Sequence, residues 1–245
     1  MSCVDELTLI AGTPIQYKGI CKIRQPSLGD IRDIGLNGYH DILSMFLLSK
    51  DTVLKTLHIE NSQELDEYSV FDLIGLIEEL RGLLIGAFRF FLDSEVKWCE
   101  ETGWNIGDTP VTTDELYDIR QIILKISCIT DPAIEEKTPN FANKKAEEIW
   151  KKIHKGRAVA KASSNQKHDA NMELPNLVAA ISAKHNSYNL FNIWGLTVYQ
   201  LYDQFARIDI GVQLDIYGTR WAAWGQDAFD TGIWFKRLND KGEKK

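Results

Sequence analysis

Apolar residues recur at intervals of three or four along most of the chain, which is the pattern of helices that bury one face. The strongest such stretch runs from residue 66 to residue 92. Most other positions there are apolar as well, so the pattern predicts one helix covered on several sides in the main core. Five charged residues interrupt its apolar part, residues 70–92, and each would be costly at bilayer depth, so we expect no membrane span. Its core-facing positions are Val70, Leu73, Ile77, Leu80, Leu84, Phe88 and Phe91.

The N-terminal segment has a different pattern. In LTLIAGTPIQYKGICKIRQPS, β-branched and aromatic residues alternate with Gly-Thr-Pro and Lys-Gly breaks, which predicts two short strands in a hairpin or small sheet that ends at Pro26. Ser27 then stands where a helix N-cap is expected, and Asp30 follows three residues later, close to a capping box. The helix predicted after it is weakened in the middle by Gly35 and Gly38.

The central part of the chain combines a second β-segment with a well-marked helix. The stretch VKWCEETGWNIGDTPVT predicts strands with turns at residues 102–103 and 107–108. Thr112 and Glu115 form a capping box in front of LYDIRQIILKISC, whose apolar residues share one helical face. This predicted helix stops before Pro132.

Composition divides the chain into three predicted parts. Residues 1–130 form an N-terminal β-hairpin and helical domain, residues 131–175 a basic, polar linker with a helix, and residues 176–245 an aromatic-rich helical segment. The predicted fold class is therefore mainly α, with a small N-terminal hairpin or sheet (α+β) and a helical core. With 245 residues, 44% hydrophobic and 26% charged, the chain can bury a core without disulfides or metals.

The charge distribution bears on nucleic-acid binding. A formal net charge of −7 argues against a dedicated nucleic-acid binder, because phosphate contacts require clustered positive charge. Residues 144–167 nevertheless carry eight basic residues against two acidic ones. This run is compatible with a solvated helix, an acidic protein face or nucleic acid as its partner. The candidate basic contacts are Lys151, Lys152, Lys155 and Arg157.

The chain lacks the motifs that carry known chemistry. Its four cysteines form no CxxC pair, and its five histidines include no pair at the one-turn spacing of a helical metal site. Nucleotide-binding and serine-hydrolase motifs are missing too. Residues 230–232, Asp-Thr-Gly, match the short aspartic-protease loop, but their context favours a plain turn. We expect no catalytic residue, no metal and no cofactor, although an enzyme without a recognised signature stays open.

Aromatic residues are concentrated near the C-terminus. The segment 192–205, NIWGLTVYQLYDQF, carries four aromatic rings, and three tryptophans follow at positions 221, 224 and 234. Helical spacing of large apolar residues is typical of a core, whereas aromatic residues are also enriched at the centres of interfaces. We interpret some of these aromatic residues as part of the core and others as part of a binding or self-association surface.

Several segments resemble tail assembly chaperones of phages that infect Gram-positive bacteria, encoded upstream of the tape-measure protein. These are PIQYKGICKIRQPSLGDIRDIG, TTDELYDIRQIILKISCI, NKKAEEIWKKIHKGR, NIWGLTVYQLYDQFARID and IWFKRL, in this order. The resemblance implies a non-enzymatic protein of the host bacterial cytoplasm, and the acidic N-terminus, unlike a secretory signal, agrees with that location.

The resemblance also implies partners. They are the tape-measure protein and the tail-tube protein, with self-association as a further expectation. A structural tail or neck component of the virion is the alternative, and an uncharacterised enzyme or nucleic-acid-binding protein is a second one. The residues hypothesised to bind a protein partner are Trp194, Tyr199, Tyr202, Trp221 and Trp224.

Overall fold

The computed structural model describes residues 4–56, 68–129 and 173–225, together with Gly232 and Phe235. The fold is mainly helical with two small antiparallel sheets, which confirms the predicted α+β class. The helices are α1 (Glu6–Ala11), α2 (Leu28–Ile34), α3 (Leu36–Leu47), α4 (Lys50–Thr56), α5 (Val70–Leu76), α6 (Glu78–Phe91), α7 (Thr113–Ile126), α8 (Leu174–Lys184) and α9 (Val198–Trp224). The strands are β1 (Ile15–Tyr17), β2 (Cys21–Ile23), β3 (Val96–Cys99), β4 (Gly103–Ile106) and β5 (Thr109–Pro110).

The predicted N-terminal hairpin is present, but it begins later than expected. Strands β1 and β2 pair antiparallel, with Ile15 opposite Ile23. The apolar run before them forms helix α1 instead of a strand, because both of its ends are capped. The Asp5 side chain accepts a hydrogen bond from the Leu7 amide (3.2 Å), and Gly12, in the left-handed region at φ 68°, ends the helix.

Two stretches predicted as continuous helices are each divided in two. Helices α2 and α3 separate at Gly35, whose φ of 77° suits glycine. The helix that was expected to be only weakened at this position is therefore interrupted. Helices α5 and α6 separate at Ile77, which adopts an extended conformation (φ −103°, ψ 111°) without glycine or proline. The Arg81 guanidinium donates to the Gly75 carbonyl (3.1 Å) and satisfies one acceptor that the end of α5 leaves free.

Capping boxes start the helices that organise the fold. The boxes predicted at Ser27 and at Thr112 are confirmed, with reciprocal hydrogen bonds to the residue three positions later. Two further boxes, at Ser69 and Thr197, begin α5 and α9. Each box satisfies two backbone amides that the first turn of a helix leaves without a partner.

The central β-segment is a three-stranded sheet with the order β3-β4-β5. Its two turns contain Gly103 and Gly107, at φ 71° and 60°, as the predicted turn positions require. Trp98 and Trp104 pack edge to face with ring centroids 5.2 Å apart. The Trp104 indole nitrogen donates to the Phe71 carbonyl (3.0 Å), which ties this sheet to α5.

Helices α8 and α9 share one hydrophobic core with the N-terminal elements. Hydrogen bonds also join these parts: the Leu28 amide donates to the Leu196 carbonyl (2.8 Å), and the Gln200 side chain donates to the Ile10 carbonyl (2.8 Å). The predicted linker lies outside the described residues except for residues 173–175, and α8 begins within it. The division into domains therefore remains a prediction.

The described part of the chain contains neither a membrane-spanning helix nor a metal-binding cluster. None of its helices combines the length and apolar character needed to cross a bilayer. No group of three or more His, Cys, Asp or Glu side chains is gathered there in the way that a metal ion would need.

The cap of α9 leads to a stability prediction. Thr197→Val keeps the side-chain volume but removes the hydroxyl that accepts from the Gln200 amide (3.2 Å). We expect the free energy of unfolding to fall by about 1 kcal/mol, measured by urea denaturation. Thr219→Val, on the exposed part of α9, is the control and should change stability by less than about 0.5 kcal/mol. Equal losses in both variants would mean that the cap does not stabilise α9.

Candidate partner-binding surface on the last helix

The first turns of α9 are anchored in the folded body of the protein. Val198, Tyr199, Leu201 and Asp203 are buried there, between α1 and α8. This anchoring follows from the sequence, because the capping box at Thr197 fixes where the helix starts and the apolar residues after it face the core.

Beyond the anchored turns, α9 leaves the body. The helix has 27 residues and is therefore about 40 Å long. From residue 209 to residue 224 no position is buried against the described part of the chain, and we call these residues the free half of α9. Large apolar side chains are exposed here, including Ile216 (54%), Tyr217 (43%), Trp221 (54%) and Trp224 (68%). Exposed apolar patches are typical of interaction sites, so the free half is a candidate for one.

Five large apolar residues of the free half follow a seven-residue repeat. Their spacing alternates between four and three, which keeps them within about 80° of one another around the helix. This is the spacing of a coiled-coil seam, in which two helices pack side by side. We call this set the stripe, and its members are Ile210, Leu214, Tyr217, Trp221 and Trp224.

The same repeat continues back into the body, but there its positions are polar. Asp203 and Arg207 occupy the two preceding seam positions and form an ion pair with an N–O distance of 3.7 Å. Asp203 is buried, whereas the Arg207 side chain is about one-third exposed. The apolar stripe therefore begins where the body stops covering α9.

A cavity of about 720 Å³ lies on a different side of α9, next to the C-terminal end of α8. Its lining combines polar residues such as His185 and Asp215 with apolar ones such as Ile208 and Val212. The His185 Nδ1 accepts from the amides of Ser187 (3.0 Å) and Tyr188 (3.2 Å), which gives this histidine a role in holding the loop after α8. No hydrogen bond or ion pair joins His185 to Asp215 in the described structure.

The structure separates the five aromatic residues predicted to bind a partner. Trp221 and Trp224 lie on the exposed stripe. Trp194 lies elsewhere, beside α2, where the Arg32 guanidinium stands 5.4 Å from its ring centroid. Its indole nitrogen donates to the Leu190 carbonyl (2.8 Å), so Trp194 is already engaged in packing within the body.

The two tyrosines belong to the anchored part of α9. Tyr199 is only 6% exposed and is part of the core, so it does not belong to the exposed stripe, and its role in partner binding stays a prediction. Tyr202 is half-buried and packs against the same core. Burial raises the pKa of both hydroxyls above the usual value for tyrosine, because it disfavours the phenolate.

Other predicted residues lie outside the described part of the chain. These are the basic contacts Lys151, Lys152, Lys155 and Arg157, as well as Asp230 and Thr231 of the Asp-Thr-Gly turn. Sequence analysis missed three members of the stripe, Ile210, Leu214 and Tyr217. The alternating spacing of four and three residues that leads up to Trp224 could have identified them in the sequence.

The comparisons with known proteins concern the same end of the chain. Residues 164–239 match the family model described as the YomV second domain, a match that includes all of α8 and α9. No curated protein and no solved structure matches the chain. The matched family is phage-associated, which is consistent with a phage protein. Over just under a third of its length, the chain is thus similar to a phage-associated domain that contains the exposed helix.

Proposed function

We propose that this chain is a non-enzymatic phage tail assembly chaperone that holds an apolar helical segment of the tape-measure protein while the tail tube assembles in the host cytoplasm. The observation that carries this proposal is the free half of α9, which has no buried position and exposes the large apolar side chains of Trp221 and Trp224. The match to a phage-associated domain over this helix supports it. So does the resemblance of the chain to tail assembly chaperones.

The stripe has the chemistry of a helix-binding surface. Tyrosine and tryptophan each bury 150–250 Å² and have few rotatable bonds, so they bind at a low cost in conformational entropy. An amphipathic partner helix would lie along the stripe and present its own apolar residues at the same spacing. Trp221 and Trp224, the most exposed members of the stripe, are the expected centres of binding energy.

The charges of the free half are few. Asp209, Asp215 and Arg220 are its ionic residues, and they carry a formal net charge of −1. Recognition along the stripe therefore depends on apolar burial more than on ion pairs. Salt screens exposed ion pairs but not apolar contacts, so binding should change little between low and physiological salt.

Co-expression with the tape-measure protein tests the proposal. The Trp221→Ser/Trp224→Ser double variant should lower the soluble fraction of the tape-measure protein, because loss of one interface tryptophan costs about 2 kcal/mol, or roughly thirtyfold in affinity. Phe191→Ser is the matched control, since Phe191 is a 95% exposed aromatic residue outside α9. Unchanged tape-measure solubility with the double variant would refute the proposal.

A structural component of the tail or neck is the second candidate, because an exposed apolar seam also suits a permanent assembly interface. Mass spectrometry of purified particles separates the two functions. A chaperone is absent from particles and is recovered with the tape-measure protein from infected cells. A structural component is present in particles in stoichiometric amounts.

A further inference from the structure

We propose that the stripe is also a self-association site, on which a second copy of this chain packs its own stripe in antiparallel orientation. This inference goes beyond the proposed function, because it requires no phage partner and concerns the purified chain alone. It rests on the spacing, the size distribution and the exposed area of the stripe residues.

The spacing fits a short two-stranded pair. From Ile210 to Trp224 the stripe is about 21 Å long, which is two seven-residue repeats. Gly211 and Gly218 directly follow Ile210 and Tyr217, so they flank the seam at the same point of each repeat. Glycine inside a helix costs about 1 kcal/mol relative to alanine, but it allows the backbone of a neighbouring helix and its bulky rings to come close.

The size distribution favours the antiparallel orientation. The aliphatic residues of the stripe lie near the body and the aromatic residues lie near the tip. A parallel pair would place equal residues side by side, so the tryptophans would crowd the same layers. In an antiparallel pair, Trp221 of one copy packs against Ile210 of the other, and Tyr217 packs against Leu214. Such large-against-small pairing fills space evenly.

Trp224, at the tip of the stripe, can also contact the second copy in this arrangement. With Trp221 opposite Ile210, Trp224 reaches the level of Arg207 of the second copy. Arg207 stands at the edge of the body, with its side chain about one-third exposed. A guanidinium over an indole face is attractive and remains compatible with the ion pair to Asp203.

The exposed area sets the expected strength. The three rings expose 43%, 54% and 68% of their surfaces. At 150–250 Å² for a fully buried ring, they can bury roughly 250–400 Å² in each copy. With the two partly buried aliphatic residues included, the pair would bury at most roughly 600–1,000 Å² in total, which is the size of a weak or transient interface. We therefore expect a dimer with a dissociation constant of about 1–100 µM.

Sedimentation of the full chain between about 1 and 500 µM tests this inference, since that range spans the expected constant. The wild type should pass from monomer to dimer. Trp221→Lys should weaken the dimer at least about tenfold, because it places a charge in the seam. Ile216→Lys is the matched control, since Ile216 is also 54% exposed on the free half but lies well away from the stripe. It should dimerise like the wild type.

A mixture of two variants tests the orientation. Chains with Ile210→Lys and chains with Trp221→Glu should each be poor dimers but should pair with one another, because only the antiparallel layers bring the lysine against the glutamate. A wild type that stays monomeric up to 500 µM, or equal weakening by Trp221→Lys and Ile216→Lys, would overturn the self-association site. A mixture that pairs no better than its components would overturn the antiparallel arrangement. Tape-measure solubility is a separate readout and judges only the proposed function.

Discussion

Replacing Leu201 by alanine should lower the free energy of unfolding by about 2–5 kcal/mol, the range for a buried leucine whose removal leaves a cavity. Leu201 is fully buried in the first turns of α9, in the same core as Leu177 and Ile181 of α8. Its side chain is thus part of what anchors α9 to the body. Urea denaturation at low protein concentration, where the proposed dimer is dissociated, measures the change.

Ile216→Ala is the matched control on the same helix. Ile216 is 54% exposed, so its truncation should change the free energy of unfolding by less than about 0.5 kcal/mol. The contrast between the two variants measures where the body ends along α9. A loss of 2 kcal/mol or more for Ile216→Ala would show that the side of the free half that carries Ile216 packs on the body.

The two proposals concern one apolar surface that does not contribute to the fold of the monomer. Apolar side chains exposed to water gain no free energy from folding, and they favour aggregation. Their regular spacing on α9 is explained if a second helix covers them. In the proposed dimer a second copy covers the stripe, and a partner helix of the same spacing would have to replace that copy.

Local signals made most of the fold predictable. Ser27 and Thr112 mark helix starts in the sequence because each is followed three residues later by an acidic side chain. The predicted β-segment began too early, at LTLIA, because a short apolar run suits either element, and only the caps at Asp5 and Gly12 decide for the helix. The break at Ile77 has no local signal, so it could not be predicted.

For the candidate site, helical spacing alone could not predict which aromatic residues are exposed. Tyr199 and Trp221 lie within about 40° of one another around α9, so helical periodicity gives them the same side. One is buried and the other is 54% exposed, because the body covers the start of the helix and not its end. Which turns of a long helix are covered depends on the tertiary structure. The sequence could suggest the aromatic surface but could not say which of its members face solvent.

Gly75→Ala should destabilise the protein by about 1–3 kcal/mol, although alanine is the better helix former. A Cβ atom at Gly75 would lie 2.6 Å from Cε3 and Cη2 of the Trp98 ring. Favourable carbon contacts are 3.5–4.0 Å long, so the ring would have to move by about 1 Å. That shift would disturb its packing on Trp104, through which the three-stranded sheet is fixed to α5.

Two comparisons isolate this contact. Gly82→Ala, on α6, introduces a Cβ with no atom within 4 Å, so it should stabilise the protein by about 0.5–1 kcal/mol, opposite in sign to Gly75→Ala. In a Trp98→Ala background the obstructing ring is gone, and Gly75→Ala should no longer destabilise. Thermal or urea unfolding of the four chains of this cycle gives the coupling energy between the two positions. If Gly75→Ala remains costly without the Trp98 ring, the close approach of Trp98 is not what requires glycine at this position.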